Sequence, residues 1–292
     1  MLYKLVGINT AHAERTLETE MDDYLPLLLA FGPLALIPVF LLLDLLPHAQ
    51  NYQATRYWKR RAAAVTLAVV AVALGVGMLW EQVLVFPSLF DFSALGALGA
   101  VVGILVYEFF HYWYHRGVHS FGFTWRWFHQ MHHAPERLDA YSALYQSPLD
   151  ALAFTSIGIL VAFPLLGLSP VAGALLNAFL MFNAMFQHAN IKTPRWLGYI
   201  IQRPESHSVH HARGVHRYNY SDLPLWDLLF GTFRNPPNFV REVGIVDGAS
   251  ARLGALLIGR DVSQLQAETS AEHSGDERMA AYWSDQKARL SA

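Results

Sequence analysis

Glu108-Phe-Phe-His-Tyr-Trp-Tyr-His-Arg-Gly-Val-His119 closes an apolar run that begins at Ala94. A run of this kind is long enough to cross a bilayer, which takes roughly 20 residues. It ends in His115 and His119, which are four apart and share one face of a helix. A membrane helix that delivers two imidazoles at its end sets the reading of everything around it.

Working outward, His129-Gln-Met-His-His133 follows after a short connection, and His207-Ser-Val-His-His211 repeats its HxxHH spacing. His188 stands alone between them. Nine of the fourteen histidines therefore fall in one pattern. Neutral imidazole is the commonest metal ligand, and a closed zinc site takes four ligands. Nine exceed what one ion can hold, so the pattern points to a two-metal centre. Spacings of i, i+3 and i+4 predict that each triplet, if helical, aims its imidazoles at one point.

The composition agrees with a membrane setting. The 292 residues are 53% hydrophobic and only 15% charged, against about 25% charged in an average soluble domain. A net charge of −2 gives no electrostatic case for nucleic acid. With no cysteine, disulfides, thiolate metal sites and iron–sulfur clusters are excluded. Residues 1–23 read as a polar segment without the basic start and apolar core of a signal peptide. Residues 263–292 read as a polar tail.

Five apolar runs predict helices over about 24–46, 62–80, 94–115, 149–168 and 171–187, the last two joined by Ser169-Pro170 as a hairpin. The fold expected is all-α: a multi-pass transmembrane bundle spanning 24–262, with a helical cap of residues 115–148 and 188–262. Arg56, Lys59, Arg60 and Arg61 lie between the first two runs, whereas the loops near 81–93 and 167–170 carry no Lys or Arg. The positive-inside rule puts the basic loop, and with it the histidine cap, in the cytoplasm. Only Lys4 and Arg15 of the basic residues fall on the other side.

A ligating histidine usually donates its second N–H to a carboxylate or carbonyl. Glu108, on the helical face of His115 and His119, and Asp227, in Trp226-Asp-Leu-Leu-Phe-Gly-Thr-Phe233, fit that role or that of ordinary surface and cap residues. His111 and His216 sit beside the pattern as doubtful neighbours. Two roles fit Trp113, Trp125 and Trp127: lining a lipid path or anchoring the interface. His12, His48 and His273 read as surface residues. All-imidazole ligation suits Zn, Cu, Fe or Ni, and spacing alone does not choose.

Taken together, the segments Glu108–His119, His129–His133, His207–His211 and Trp226–Phe233 resemble the sterol desaturase and fatty acid hydroxylase superfamily of integral-membrane di-iron oxygenases. The resemblance covers roughly residues 95–235. It implies that His115, His119, His129, His132, His133, His188, His207, His210 and His211 hold two iron ions. It further implies O2 as co-substrate and a membrane lipid as substrate. The reaction would be C–H hydroxylation, with desaturation on the same site as the alternative. Two departures stand out: His111, where the family more often has an aromatic, and Ala134-Pro-Glu-Arg-Leu-Asp139, where many members carry Ser and Asn.

Electrons for such chemistry must arrive from outside. The chain has no GxGxxG fingerprint and no room for a fused haem domain. A separate redox partner is expected: cytochrome b5-like, a ferredoxin or a pterin reductant. The expected location is a bacterial inner membrane or the endoplasmic reticulum, with the active site on the cytoplasmic side. Two readings from other classes compete. A metal transporter needs ligands at mid-membrane depth, whereas these clusters follow the apolar runs. A zinc hydrolase needs an open site with a Glu or water base.

Overall fold

Ser147 and Ser169 start two neighbouring helices by the same device. Each side-chain oxygen accepts a backbone N–H from three residues on, Asp150 (3.1 Å) and Ala172 (3.2 Å), and each is followed by a proline at the first helical position. Proline is favoured there because its missing N–H would have no helical partner. The computed structural model describes residues 28–84 and 87–264. The expected polar segment over 1–23, the tail from 265 on, and His12 and His273 lie outside the described residues.

The described residues are helical and carry no strand, with one isolated bridge between Ala212 and Val243. The helices are α1 (Leu36–Leu43), α2 (Trp58–Val83), α3 (Gly99–Ser120), α4 (Gln130–His133), α5 (Pro148–Leu160), α6 (Pro170–His188), α7 (Pro204–His210), α8 (Pro224–Leu229) and α9 (Leu253–Leu257). Four helical stretches are long and apolar enough to cross a membrane: Trp58–Val83, Ser93–Ser120, Pro148–Leu165 and Pro170–His188. A fifth apolar helix, Leu28–Leu43, is shorter and includes a tight turn at Gly32–Ala35 that carries Pro33. Proline there removes a hydrogen-bond donor and breaks the regular ladder.

α2 packs on α5, and α3 and α1 pack on α6. The approach of α3 to α6 and the turn before it is set by glycine: a Cβ on Gly103 would sit 2.8 Å from the Leu168 side chain and 3.4 Å from that of Leu176 in α6. Small residues at such crossings let membrane helices come close enough for dispersion to hold them. The outer faces carry Leu67, Leu98 and Val101, all exposed, as expected where hydrocarbon replaces water.

Between Leu160 and α6 the chain passes through a π-turn (Val161–Leu165) containing Pro164, then reverses at Gly167, whose φ is +55°. A Cβ at Gly167 would clash with Ser88 and with the Phe90 carbonyl at 2.5 and 2.6 Å. The segments after α3 and after α6 fold over one end of the bundle. The basic loop meets them there: Trp58 Nε1 donates to Asp139 at 3.0 Å, and Thr55 bonds Ser250.

Candidate metal centre

The structure gathers all nine pattern histidines into one buried volume, in two groups. His115, His119, His129, His133 and His210 form the first; His132, His188, His207 and His211 form the second. Within each group the nearest ring nitrogens lie within 4.8 Å of one another. The groups abut, with His133 stacked on His211 at a centroid separation of 4.1 Å.

This partition differs from the expectation that each triplet serves one point. His132 leaves its own triplet for the second group, and His210 leaves its triplet for the first. The reason is angular. Positions i+3 and i+4 differ by about 100° around a helix of 3.6 residues per turn. Adjacent histidines therefore diverge, and each HxxHH straddles both groups. A π-turn over Trp125–His129 rotates His129 further, and such turns recur at functional sites.

Hydrogen bonding shows what the groups can hold. His115 Nδ1 lies 2.7 Å from the Tyr220 carbonyl, and His129 Nδ1 lies 2.6 Å from Asp150 Oδ2. Those partners only accept, so both Nδ1 atoms carry the proton and both Nε2 atoms present lone pairs. The two Nε2 atoms are 2.9 Å apart, a repulsive arrangement unless a cation joins them. Two imidazole nitrogens at right angles about one ion, each about 2.1 Å from it, sit roughly 3.0 Å apart. His133 and His210 Nε2 are 3.0 Å apart, as are His207 and His211 Nε2.

His210 Nδ1 donates to the Tyr218 carbonyl (2.8 Å) and His188 Nδ1 to the Ala184 carbonyl (2.9 Å). His188 Nε2 is then a buried lone pair with no hydrogen-bond partner, and both nitrogens of His119 lack one as well. Buried polar atoms are almost always satisfied. An ion in each group would take one His119 nitrogen and His188 Nε2, so the residues fit a two-metal centre. Burial, and after it the neighbouring imidazoles, hold His132, His133, His207, His210 and His211 well below the usual imidazole pKa. Burial thus favours the neutral, ligating form of these five rings.

Of the expected supporting carboxylates, neither touches a grouped histidine. Glu108 Oε2 accepts the backbone N–H groups of Asp222 (2.8 Å) and Leu223 (3.2 Å). Asp227 accepts from Tyr220 N, Ser221 N, Ser221 Oγ and Thr232 Oγ1. It thus builds the loop whose Tyr220 carbonyl orients His115. The direct carboxylate partner is Asp150, which also accepts from the Tyr114 hydroxyl at 2.6 Å. In the sequence Asp150 is disguised as the third residue of a capped helix. The orienting carbonyls of Tyr218, Tyr220 and Ala184 leave no mark in a sequence, since every residue has one.

His216 lies outside both groups, its Nδ1 3.1 Å from His133 Nδ1, so it orients His133. Burial pushes its pKa down to about 4. His111 stacks on His115 with centroids 5.5 Å apart. With Glu108 and Asp222 it forms a third cluster of metal-type side chains. Sequence reasoning missed Asp222, which reads as an ordinary loop residue.

A cavity of about 960 Å³ runs from apolar residues of α2, α5 and α6, including Val70, Leu74, Met78 and Ile159, to His115, His129, His132, His188 and His207. Its lining also includes Leu34, His111, Gln187 and Asp222. Trp80 is its one tryptophan. Trp125 instead walls the first group against His119 and His133, and Trp113 packs on Phe230.

The fatty acid hydroxylase family model matches residues 100–232, which contain all nine histidines. Over 150 residues the chain is 30% identical to a very-long-chain aldehyde decarbonylase of Oryza sativa, covering 49% of this chain and 56% of that one. It is 28% identical over 137 residues to a sphinganine C4-monooxygenase of Arabidopsis thaliana (46% and 53% covered). It is 34% identical over 164 residues to the alkylglycerol monooxygenase of Homo sapiens (53% and 34% covered). The chain thus spans about half the length of the two plant relatives and about a third of the human one. No solved structure matches the chain.

Proposed function

Because the chain belongs to the sterol desaturase and fatty acid hydroxylase superfamily, we propose that residues 24–262 form an O2-dependent di-iron hydroxylase acting on a C–H bond of a membrane lipid. The observation that carries this reading is the pair of facing Nε2 lone pairs of His115 and His129 at 2.9 Å, opening onto an apolar cavity between membrane-length helices. The first histidine group holds one iron and the second holds the other. Bound iron supplies the one-electron and dioxygen chemistry that no amino-acid side chain provides.

The overall change balances as R–H plus O2 plus two electrons and two protons giving R–OH and water. The chain's own residues do the positioning. Asp150, the Tyr220 and Tyr218 carbonyls and the Ala184 carbonyl fix the imidazole tautomers and ring angles, as partners of ligating histidines do. The cavity wall at Val70, Leu74 and Ile159 aligns an acyl or alkyl chain with its target carbon against the imidazoles. Placement of this kind determines which hydrogen is lost.

The electrons come from a separate redox partner. The basic loop packs against the histidine cap, with Trp58 on Asp139 at 3.0 Å and Arg61 beside Ser250. The positive-inside rule applied to that loop supports a cytoplasmic active site and a donor docking there.

The test is to purify the protein, count its metals, and compare lipid extracts of oxygen-grown cells with and without it. Two irons per chain and a lipid that gains one oxygen are expected. A lipid that loses two hydrogens instead identifies a desaturase. Absence of redox-active metal together with unchanged lipids overturns the oxygenase reading.

A further inference from the structure

α8 is turned the wrong way round for a helix that faces water. Its one charged residue, Asp227, is fully buried and accepts hydrogen bonds from Tyr220, Ser221 and Thr232. Its outward side chains are Leu225, Leu228 and Leu229, followed by Phe230, all exposed, Leu229 by 63%. Single exposed leucines are ordinary on a protein surface, whereas a contiguous apolar patch marks an interaction.

The position of α8 says what covers this patch. It packs on α3, with the Trp226 and Phe109 ring centroids 5.0 Å apart and those of Phe230 and Trp113 4.9 Å apart. Phe109, Phe110 and Trp113 are themselves exposed, so the two helices share one apolar face. That part of α3 belongs to the membrane-length stretch Ser93–Ser120. Charge marks the limits of the stretch. Asp91 is exposed just before it, and between Asp91 and Arg116 the only Asp, Glu, Lys or Arg is Glu108, which is fully buried. Counted from Gly99 along α3, Phe109 lies at about 15 Å, Trp113 at about 21 Å and Arg116 at about 26 Å. The hydrocarbon core is about 30 Å thick, so the Phe109–Trp113 level falls on its hydrocarbon side of Arg116. Arginines near the ends of membrane helices keep their heads at the polar layer. Arg116 Nη1 donates to the Tyr112 hydroxyl at 2.9 Å, and its guanidinium lies 5.6 Å from the centre of the Trp113 ring.

We infer that α8 is immersed in the acyl chains of the cap-side leaflet, with Arg116 at the level of the lipid phosphates. The occupant of the patch is bilayer lipid, because the patch continues a lipid-facing surface and ends at a cation. The cap is then sunk into the membrane instead of standing above it. Irregular backbone is tolerated at membrane depth where its polar groups are bonded within the protein, and here the Asp222 and Leu223 N–H groups donate to Glu108. A helix in lipid thus braces, through Asp227, the loop whose Tyr220 carbonyl orients His115.

The chain contains no cysteine, so single nitroxide labels report without background. Leu228→Cys and Leu229→Cys probe α8. Leu105→Cys, exposed on α3, is the lipid standard, and Asp247→Cys, whose side chain is 74% exposed in the cap, is the water standard. Each labelled full chain is reconstituted in phosphatidylcholine nanodiscs. Relaxation by oxygen, which partitions into lipid, is compared with relaxation by a water-soluble nickel chelate. Labels at Leu228 and Leu229 are expected to match Leu105, with strong oxygen relaxation and loss of the nickel effect, and the order reverses at Asp247. Wild-type metal content and thermal midpoint establish that each variant is folded, and two positions on α8 guard against one that is not. Nickel accessibility at Leu228 and Leu229 close to that at Asp247 overturns the immersion. Shielding from both reagents overturns it too, because protein, such as a second copy of the chain, then covers the patch.

Discussion

His115 and His129 aim their Nε2 lone pairs at each other across 2.9 Å while their Nδ1 atoms donate to the Tyr220 carbonyl and to Asp150. Each orienting bond removes the option of relieving the contact by a change of tautomer. The two rings come from α3 and from the π-turn before α4, so the contact also fastens the membrane bundle to its cap.

Because each HxxHH straddles both groups, single substitutions should separate the ions. His210→Ala removes a ligand from the first group and His132→Ala removes one from the second. Both are expected to abolish turnover, with metal content falling from two ions per chain toward one. His273→Ala is expected to leave both unchanged. Elemental analysis beside a turnover assay checks this, and full metal content in both cap variants would refute the partition.

Asp150→Asn keeps the size of the side chain but weakens the hold on His129 Nδ1. Loss of such a partner lowers metal affinity or activity by about 10- to 100-fold. Titrating the metal-stripped protein with Fe(II) should show the first group weakened and the second unchanged.

Asp227→Ala removes four hydrogen bonds from the loop that carries the Tyr220 carbonyl. A destabilisation of about 3 kcal/mol or more is expected, since each bond to a charged group contributes about 1.5–3 kcal/mol but they are not additive. Thermal unfolding in detergent measures it. A wild-type midpoint would show that the loop is held by other contacts.

Acid should destabilise the metal-free protein. His132, His133, His207, His210, His211 and His216 have folded-state pKa values below the ordinary 6.5. Below 6.5 the unfolded chain takes up protons that the folded chain refuses, so stability is full above that pH and falls as pH drops through it. The loss for His216 continues down to its folded value of about 4. A denaturation series from pH 8 to pH 5 should show a monotonic fall, and a flat profile would contradict the burial of these rings.

Gly158 lines the cavity, and a Cβ there would meet only Leu180 and Tyr107, at 3.8 Å each. Gly158→Ala should be tolerated, whereas Gly158→Phe should obstruct the cavity. Turnover of long-chain lipid should fall sharply in Gly158→Phe, with the metal content of the wild type retained. Undiminished turnover would place the substrate elsewhere.

The sequence alone determined the helical membrane class and the nine histidines, because hydrophobic length and residue identity are local properties that survive without coordinates. Its periodicity also placed His115 and His119 at the end of a span. Only the tertiary structure decided which histidine joins which group, because that depends on about 100° between adjacent helical positions and on the π-turn at Trp125–His129. It alone revealed Asp150 and the backbone carbonyls as orienting partners, and it moved Glu108 and Asp227 away from the metal groups. It also drew Asp222 to His111 from 111 positions along the chain. Such pairings are contacts between distant segments, made when the cap folds onto the bundle end, and no spacing within a segment encodes them.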